Sequence, residues 1–334
     1  MIHRFRSLTS AVAVCTAVLA LAACGGRQQQ AAAPETAAAA SCDATAGQIT
    51  IATGNSTGVY YVLGGGLASL LSANTPLKAT AAETGASVQN IEQLVAGEYD
   101  VAFSLADTAA DAVRGQGAFE SPQDVQALAR IYSNYTHVVV QRSSGITSMA
   151  DFRGKRISTG SPRSGTEVIA NRLLQAAGLN PETDVLPQRL ELGKTIDAMK
   201  DGSIDGFVWS GGLPTGGVTD LFTSAGDRVQ FLDIGDLLPK MQEINPVYAE
   251  GTVPAATYGT PGDVRTIVVP NLLLVRTDFP ANNACAITKL MFDKKADLET
   301  VHPAAKELDP RTASDTAPVE LAPGARTALT GLGG

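Results

Sequence analysis

The sequence predicts an α/β fold of two similar halves with largely parallel sheets. Helix and strand signals alternate along most of the chain, as expected for parallel strands joined by helical crossovers. One unit recurs: Gly97-Glu98-Tyr99-Asp100 and Gly202-Ser203-Ile204-Asp205 each join a helix-like segment to an apolar strand. A third observation is the strong strand signal from Ile267 to Val275, which comes after the second unit. A chain that leaves one half, builds another and returns makes a cleft between hinged halves.

At the start, Arg4 and Arg6 precede an uncharged apolar run from Ala11 to Ala23. The run is shorter than the roughly 20 residues that span a bilayer and reads as a secretory signal peptide over residues 1–23. Its end, Leu21-Ala22-Ala23-Cys24-Gly25, resembles a bacterial lipobox, with cleavage before Cys24 and lipidation of that residue. An ordinary cleaved signal with an incidental Cys is the alternative. Residues 24–42 are mostly Gln, Ala, Pro, Thr and Gly and read as a flexible tether to the lipid anchor. The mature protein is therefore expected outside the cytoplasm, held to the bacterial cell membrane through lipid alone.

About 290 residues remain, enough for two lobes. Without Arg4 and Arg6, 23 basic residues face 33 acidic ones, about −10, which argues against nucleic acid and against a basic membrane-binding patch. Cys15 leaves with the signal and Cys24 carries lipid, so Cys42 and Cys285 remain in the folded part. In an oxidising compartment two such residues are expected to pair, closing a long loop; two separate buried thiols are the alternative.

The stretch Thr53 to Tyr61 follows the apolar run Ile49 to Ala52 and opens a helix through Leu71. A strand, loop and helix start of this kind points backbone N–H groups and small hydroxyls at one spot, which suits an anion. Gly54-Asn55-Ser56-Thr57-Gly58 also matches the G-x-S-x-G elbow of serine hydrolases. That chemistry needs earlier strands for an oxyanion hole and a His base. The mature chain offers only His137, inside a strand signal, and His302 in a polar segment.

Farther on come a strand at Lys78 to Glu83, a helix led by Ser87 and ended by Gly97, and a strand at Val101 to Ser104. Thr136 to Val140 reads as a crossing strand, and Gly154 to Gly160 opens the second half. A helix over Thr195 to Lys200 leads to a strand at Gly206 to Ser210. A helix over Ala284 to Leu298 follows the return strand, and short outer helices are expected past Pro303. Gly64-Gly65-Gly66 lies in a helix signal and reads as a place of close packing on the sheet.

Gly160-Ser161-Pro162-Arg163-Ser164-Gly165 has P-loop glycine spacing, but Thr166 and Glu167 stand where Lys and Ser or Thr are needed. What remains is a Ser/Thr-rich helix start with Arg163 beside it, better suited to a small carboxylate than to a triphosphate. Arg163 either meets a carboxylate in the cleft or is a solvated surface charge. No H-E-x-x-H, C-x-x-C or clustered His is present, so no metal site and no cofactor are expected. Trp209, before Ser210-Gly211-Gly212, is a candidate for the cleft or for the core.

Together these residues resemble the TAXI class of solute-binding receptors that serve TRAP transporters. The resemblance rests on Thr53-Gly54 with Gly58-Val59-Tyr60-Tyr61, Gly85-Ala86-Ser87-Val88 with Asn90, His137-Val138-Val139, Ser164-Gly165-Thr166-Glu167, Val268 to Leu273 and His302-Pro303-Ala304-Ala305-Lys306. It implies a type II periplasmic-binding-protein-like fold: two α/β lobes joined by a hinge, with a ligand cleft between them. Lobe 1 would span 43–140, lobe 2 141–253, and 254–334 would return through the hinge to lobe 1 and the C-terminal helices. It also implies that Thr53, Thr57, Gly58, Tyr60, Ser87 and Asp107 line one wall. Ser161, Ser164, Gly165, Thr166 and Glu167 would line the other.

Leu105 and Arg163 depart from the family pattern, and the C-terminus lacks the aromatic pair expected near Ala325 to Leu329. The expected function is a monomeric, non-enzymatic receptor. It would capture a small carboxylate such as glutamate, glutamine or a dicarboxylate and deliver it to a TRAP-type membrane permease. A binding protein of an ABC importer, for a sulfonate or amide-like ligand, is the alternative within the same fold.

Overall fold

The computed structural model describes residues 41–333. The expected signal peptide, Cys24 and the tether as far as residue 40 lie outside the described residues. The first half runs β1 (Gly47–Ala52), α1 (Val59–Asn74), β2 (Leu77–Ala82), α2 (Ser87–Val95), β3 (Val101–Leu105) and α3 (Ala106–Arg114). β4 (Val125–Gln141) crosses into a half made of β5 (Arg156–Ser158), α4 (Gly165–Ala176), β6 (Leu186–Gln188), α5 (Leu192–Asp201) and β7 (Gly206–Gly211). Then follow α6 (Gly216–Ala225), β8 (Val229–Phe231), α7 (Leu238–Ile244), β9 (Ala249–Val253) and α8 (Ala255–Tyr258). β10 (Val264–Arg276) returns, and α9 (Ala281–Asp293), α10 (Lys295–Val301) and α11 (Pro323–Gly331) close the chain.

The strands form one sheet in the order β2-β1-β3-β10-β4-β7-β5-β6, with β8 beside β4 and β9 beside β10. β1 runs parallel to β2 and β3, and β5 runs parallel to β6 and β7. β10 and β4 pair antiparallel to each other, to β3 on one side and to β7 on the other. These two strands are long because each serves two partners: β4 pairs β10 over Val125 to Tyr135 and β7 over Tyr135 to Val140. The strand expected at Thr136 to Val140 is thus only the end of a longer one.

The recurring Gly-x-x-Asp unit does the same job twice. Gly97 and Gly202 both adopt φ +78°, the left-handed conformation that ends α2 and α5 without a Cβ penalty. The Asp that follows each then accepts a backbone N–H from a neighbouring parallel strand: Asp100 from Thr50 at 2.8 Å, Asp205 from Arg156 at 2.8 Å. Gly64 is a true close approach, since a Cβ there would stand 2.5 Å from Thr53 Cγ2. Gly65 faces open space, so the tightness expected of the triplet belongs to Gly64, with Gly66 close to Val301.

Two segments differ from expectation. α3 was not anticipated, because its Ala-Asp-Thr-Ala-Ala composition shows no apolar stripe; its small residues are buried regardless. The helix expected over Ala284 to Leu298 is two helices, α9 and α10, meeting at Lys294. Past Pro303 a 3-10 turn and α11 pack on the outside, α11 against α9. Cys42 and Cys285 are joined as a disulfide, Cα atoms 4.8 Å apart, tying the segment before β1 to α9. Beside it, Thr45 N–H donates to Asn283 Oδ1 at 2.9 Å.

His137 is fully buried in β4, with Nε2 2.9 Å from the Tyr258 hydroxyl and Nδ1 2.9 Å from the Tyr135 carbonyl. It is a structural residue, and burial lowers its pKa to about 4. Because the folded value lies below the unfolded one, its neutral form stabilises the fold above the unfolded pKa of about 6.5. That contribution is lost as pH falls toward 4. Urea unfolding followed by circular dichroism is expected to show stability falling by about 3 kcal/mol across this window. His137→Gln should flatten that decline; an equal decline in the variant would assign it to other groups.

Candidate functional site

The parallel strands of both halves end facing the same space, which is where ligands bind in open α/β sheets. A small cavity of about 30 Å³ lies there. Three helices begin at its wall: α1 at Gly58 and Val59, α2 at Ala86 and Ser87, α4 at Ser164 and Gly165. First-turn N–H groups have no intrahelical acceptor. Those of Val59, Tyr60, Ser87, Gly165 and Thr166 also find no other partner among the described residues. The positive ends of three helix dipoles therefore converge on one cavity.

The two halves meet closely around it. Gly165 carries no Cβ because one would stand 2.5 Å from Leu105 Cδ1 and 2.6 Å from Ser87 Oγ on the facing wall. The Trp209 ring lies over Gly58, with Cζ2 3.5 Å from where a Cβ would be, and its indole N–H donates to Thr215 Oγ1 at 3.3 Å. The Gln89 N–H donates to the Arg163 carbonyl at 3.1 Å, and the Leu192 N–H to Asn55 Oδ1 at 3.3 Å.

A buried network forms the floor. The Tyr60 hydroxyl donates to Asn271 Oδ1 at 2.5 Å, and Asn271 Nδ2 donates to Asn134 Oδ1 at 2.9 Å and to the Tyr132 carbonyl at 3.0 Å. Asn134 Nδ2 reaches the Ser210 carbonyl at 3.0 Å, and the Ser210 N–H donates to Thr166 Oγ1 at 3.2 Å. The chain of bonds runs from α1 through both crossing strands to β7 and α4. Burial pushes the Tyr60 phenol far above its ordinary pKa, so it stays a neutral donor.

Seven of the sequence candidates stand around this cavity: Gly58, Tyr60, Ser87, Ser164, Gly165, Thr166 and Trp209. Six do not. Thr53 is fully buried beneath α1, its hydroxyl donating to the Ala82 carbonyl at 2.5 Å. Thr57 is exposed beyond the helix start, and Ser161 accepts a long contact from Asn55 Nδ2 at 3.5 Å. Arg163 takes the outward option: at φ +62° its exposed side chain pairs with Glu92. Glu167 caps its own loop, accepting the Arg163 N–H at 2.8 Å and pairing with Arg189 at 2.9 Å.

Asp107 is fully buried behind the cavity, bound by Arg172 at 2.9 Å and by the Tyr248 hydroxyl. Arg172 also pairs with Asp111, whose carboxyl is pushed up by its own burial. Arg172 lies on α4 and both acids on α3, so this cluster pins one half to the other.

Tyr132, Asn134, Ser210 and Gly211 also line the cavity and were missed. The first half of β4 gives little strand signal. A polar Asn in an otherwise apolar crossing strand, and a Ser next to Trp209, are the only traces of them in sequence. Among the described residues, no Lys, Arg, His, Asp or Glu lines the cavity. Among the described residues no group of His, Cys, Asp and Glu is placed to hold a metal ion, and no helix is long and apolar enough to cross a membrane.

Removing Arg172 leaves two buried carboxylates unpaired. Arg172→Met is expected to lower stability by about 3–5 kcal/mol in urea unfolding. A loss below about 1 kcal/mol would show that the cluster is not a fastening between the halves.

Three solved structures share the fold. A protein of Bordetella bronchiseptica RB50 is 20% identical with a TM-score of 0.53, over 86% of this chain and 88% of that one. The binding protein component of an ABC phosphonate transporter from Pseudomonas aeruginosa is 12% identical with a TM-score of 0.52, over 79% and 80%. A Prochlorococcus marinus protein in complex with methylphosphonate is 10% identical with a TM-score of 0.52, over 78% and 90%. The architecture is thus a periplasmic-binding-protein-like α/β fold of two lobes about a cleft. Residues 51–333 match the NMT1-like family, and the chain belongs to that family.

Proposed function

We propose that this member of the NMT1-like family is an extracytoplasmic solute-binding receptor. It closes around a small oxyanion and delivers it to a membrane importer, making and breaking no covalent bond. The observation that carries this reading is the convergence of the α1, α2 and α4 N-termini on a cavity with no charged side chain among the described residues. Such a site holds negative charge by backbone N–H groups and dipoles and contains no nucleophile with a base beside it. Ser56 is exposed, with its N–H spent on Glu83 at 2.7 Å, so the elbow-like spacing has no catalytic partner.

In this reading residues 43–140 and 141–253 are the lobes and 254–334 the return, with β4 and β10 as the hinge. Contacts such as Gly165 against Ser87 exist only when the lobes meet, so a ligand touching both walls shifts the population toward closure. Lipidation at Cys24 would hold the receptor at the membrane as a monomer.

An ABC-type importer is the partner favoured by the structural relatives, one of which is named as a component of such a system. A TRAP-type permease is the second reading and rests on the TAXI-like motifs Gly85-Ala86-Ser87-Val88 and Ser164-Gly165-Thr166-Glu167. Co-purification with the membrane subunits separates the two. A nucleotide-hydrolysing subunit in the complex supports the first, and its absence supports the second.

A thermal-shift screen over carboxylates, sulfonates and phosphonates tests the receptor itself. Binding to the native state alone raises stability by about 2.7 kcal/mol at a concentration of 100 Kd. At least one oxyanion is expected to raise Tm; a flat response to all three classes contradicts the reading. Gly165→Ala, which places a methyl group against Ser87 and Leu105 across the cleft, should weaken binding of that oxyanion about tenfold or more with little change in the ligand-free Tm. Unchanged affinity would mean that the lobes need not meet there.

A further inference from the structure

Beyond its anion-friendly character, the cavity is unbalanced in its hydrogen-bonding groups. The wall hydroxyls are already used as acceptors: Ser164 Oγ takes the Glu167 N–H at 3.0 Å, and Thr166 Oγ1 takes the Ser210 N–H at 3.2 Å. Ser210 Oγ takes a contact from Asn134 Nδ2 at 3.4 Å. None of the three donates to another described residue. A hydroxyl held as an acceptor by a backbone N–H keeps its proton free to donate.

Four carbonyl oxygens of the lining are spent in the opposite sense. Asn55 Oδ1 accepts the Leu192 N–H at 3.3 Å and Asn134 Oδ1 accepts Asn271 Nδ2 at 2.9 Å. The Asn55 carbonyl accepts the Gly58 N–H at 2.8 Å, and the Ser210 carbonyl accepts Asn134 Nδ2 at 3.0 Å. Among the described residues no carboxylate lines the cavity.

We infer that the site is a donor cage whose ligand is an acceptor-only oxyanion, fully ionised and without an ammonium group. This rests on the receptor reading and narrows its ligand class. Donors available are the free N–H groups of three helix starts and the protons of Ser164, Thr166 and Ser210. An α-ammonium would enter with three donors of its own, find no free carboxylate, and face the positive ends of the helix dipoles. An oxo or ester-like oxygen at the same position meets donors instead. Of the ligands expected from sequence, glutamate and glutamine therefore fit poorly, while acids that lack the amino group fit well.

The test is isothermal titration calorimetry on the full mature chain with matched pairs, each a 2-oxo acid and the α-amino acid of the same carbon skeleton. The oxo acid is expected to bind about 100-fold more tightly or better, as sites with unpaired buried polar groups discriminate strongly. Equal or tighter binding of the amino acid overturns the donor cage and leaves the receptor reading standing. Silence from every oxyanion overturns both. Ser210→Ala should lower affinity for the oxo acid about tenfold with unchanged ligand-free Tm. Unchanged affinity would remove the wall hydroxyls from recognition and overturn the inference.

Discussion

The antiparallel pairing of β4 with β10 is the constraint on which the remaining structure depends. Both strands are longer than any other strand of the sheet because each must finish one half and start the other. Placing them between β3 and β7 turns the carboxyl ends of the two parallel sets toward one space, and α1, α2 and α4 begin there. The site is thus a consequence of topology before it is a matter of side chains. Asn271 and Asn134, fully or almost fully buried where the two strands meet, bond to each other. Through Tyr60 and Ser210 they link α1 to β7. Buried amides of this kind are tolerable only when every polar atom is satisfied, so the network fixes register as well as joining the halves.

Two different electrostatic devices operate at the boundary between the halves. At the cavity, unpartnered N–H groups and helix dipoles converge, with no side-chain cation among the described lining residues. Behind it, Arg172 with Asp107, Asp111 and Tyr248 forms a self-contained, nearly dry ion cluster. At the rim the exposed Arg163 to Glu92 pair adds little stability because water screens it. Charged side chains are thereby kept as fastenings, and in the proposed reading recognition falls to neutral donors.

Much of the fold was legible because period and punctuation agreed. Gly97 and Gly202 stop helices, the following Asp residues pin parallel strands, and Ile267 to Val275 is apolar enough to be read as a strand. α3 and the first part of β4 were hidden, since small or mixed residues acquire burial only from tertiary neighbours. For the site, the helix starts at Gly58, Ser87 and Ser164 could be read from glycine and hydroxyl spacing. Charged candidates could not be placed: Asp107, Arg163 and Glu167 look like ligand contacts in sequence, yet each has a protein partner that only the packed structure supplies. Tyr132 and Asn134 lay outside any motif, because a crossing strand contributes to the floor by register rather than by pattern.

The central claim is that backbone N–H groups at three helix starts hold the ligand's oxyanion. Backbone amide chemical shifts of the isotope-labelled chain during titration with a bound oxyanion test it most directly. Saturable downfield shifts concentrated at Tyr60, Ser87, Gly165 and Thr166 are the predicted result. Saturable shifts confined to other regions, with these four amides unmoved, would contradict the account.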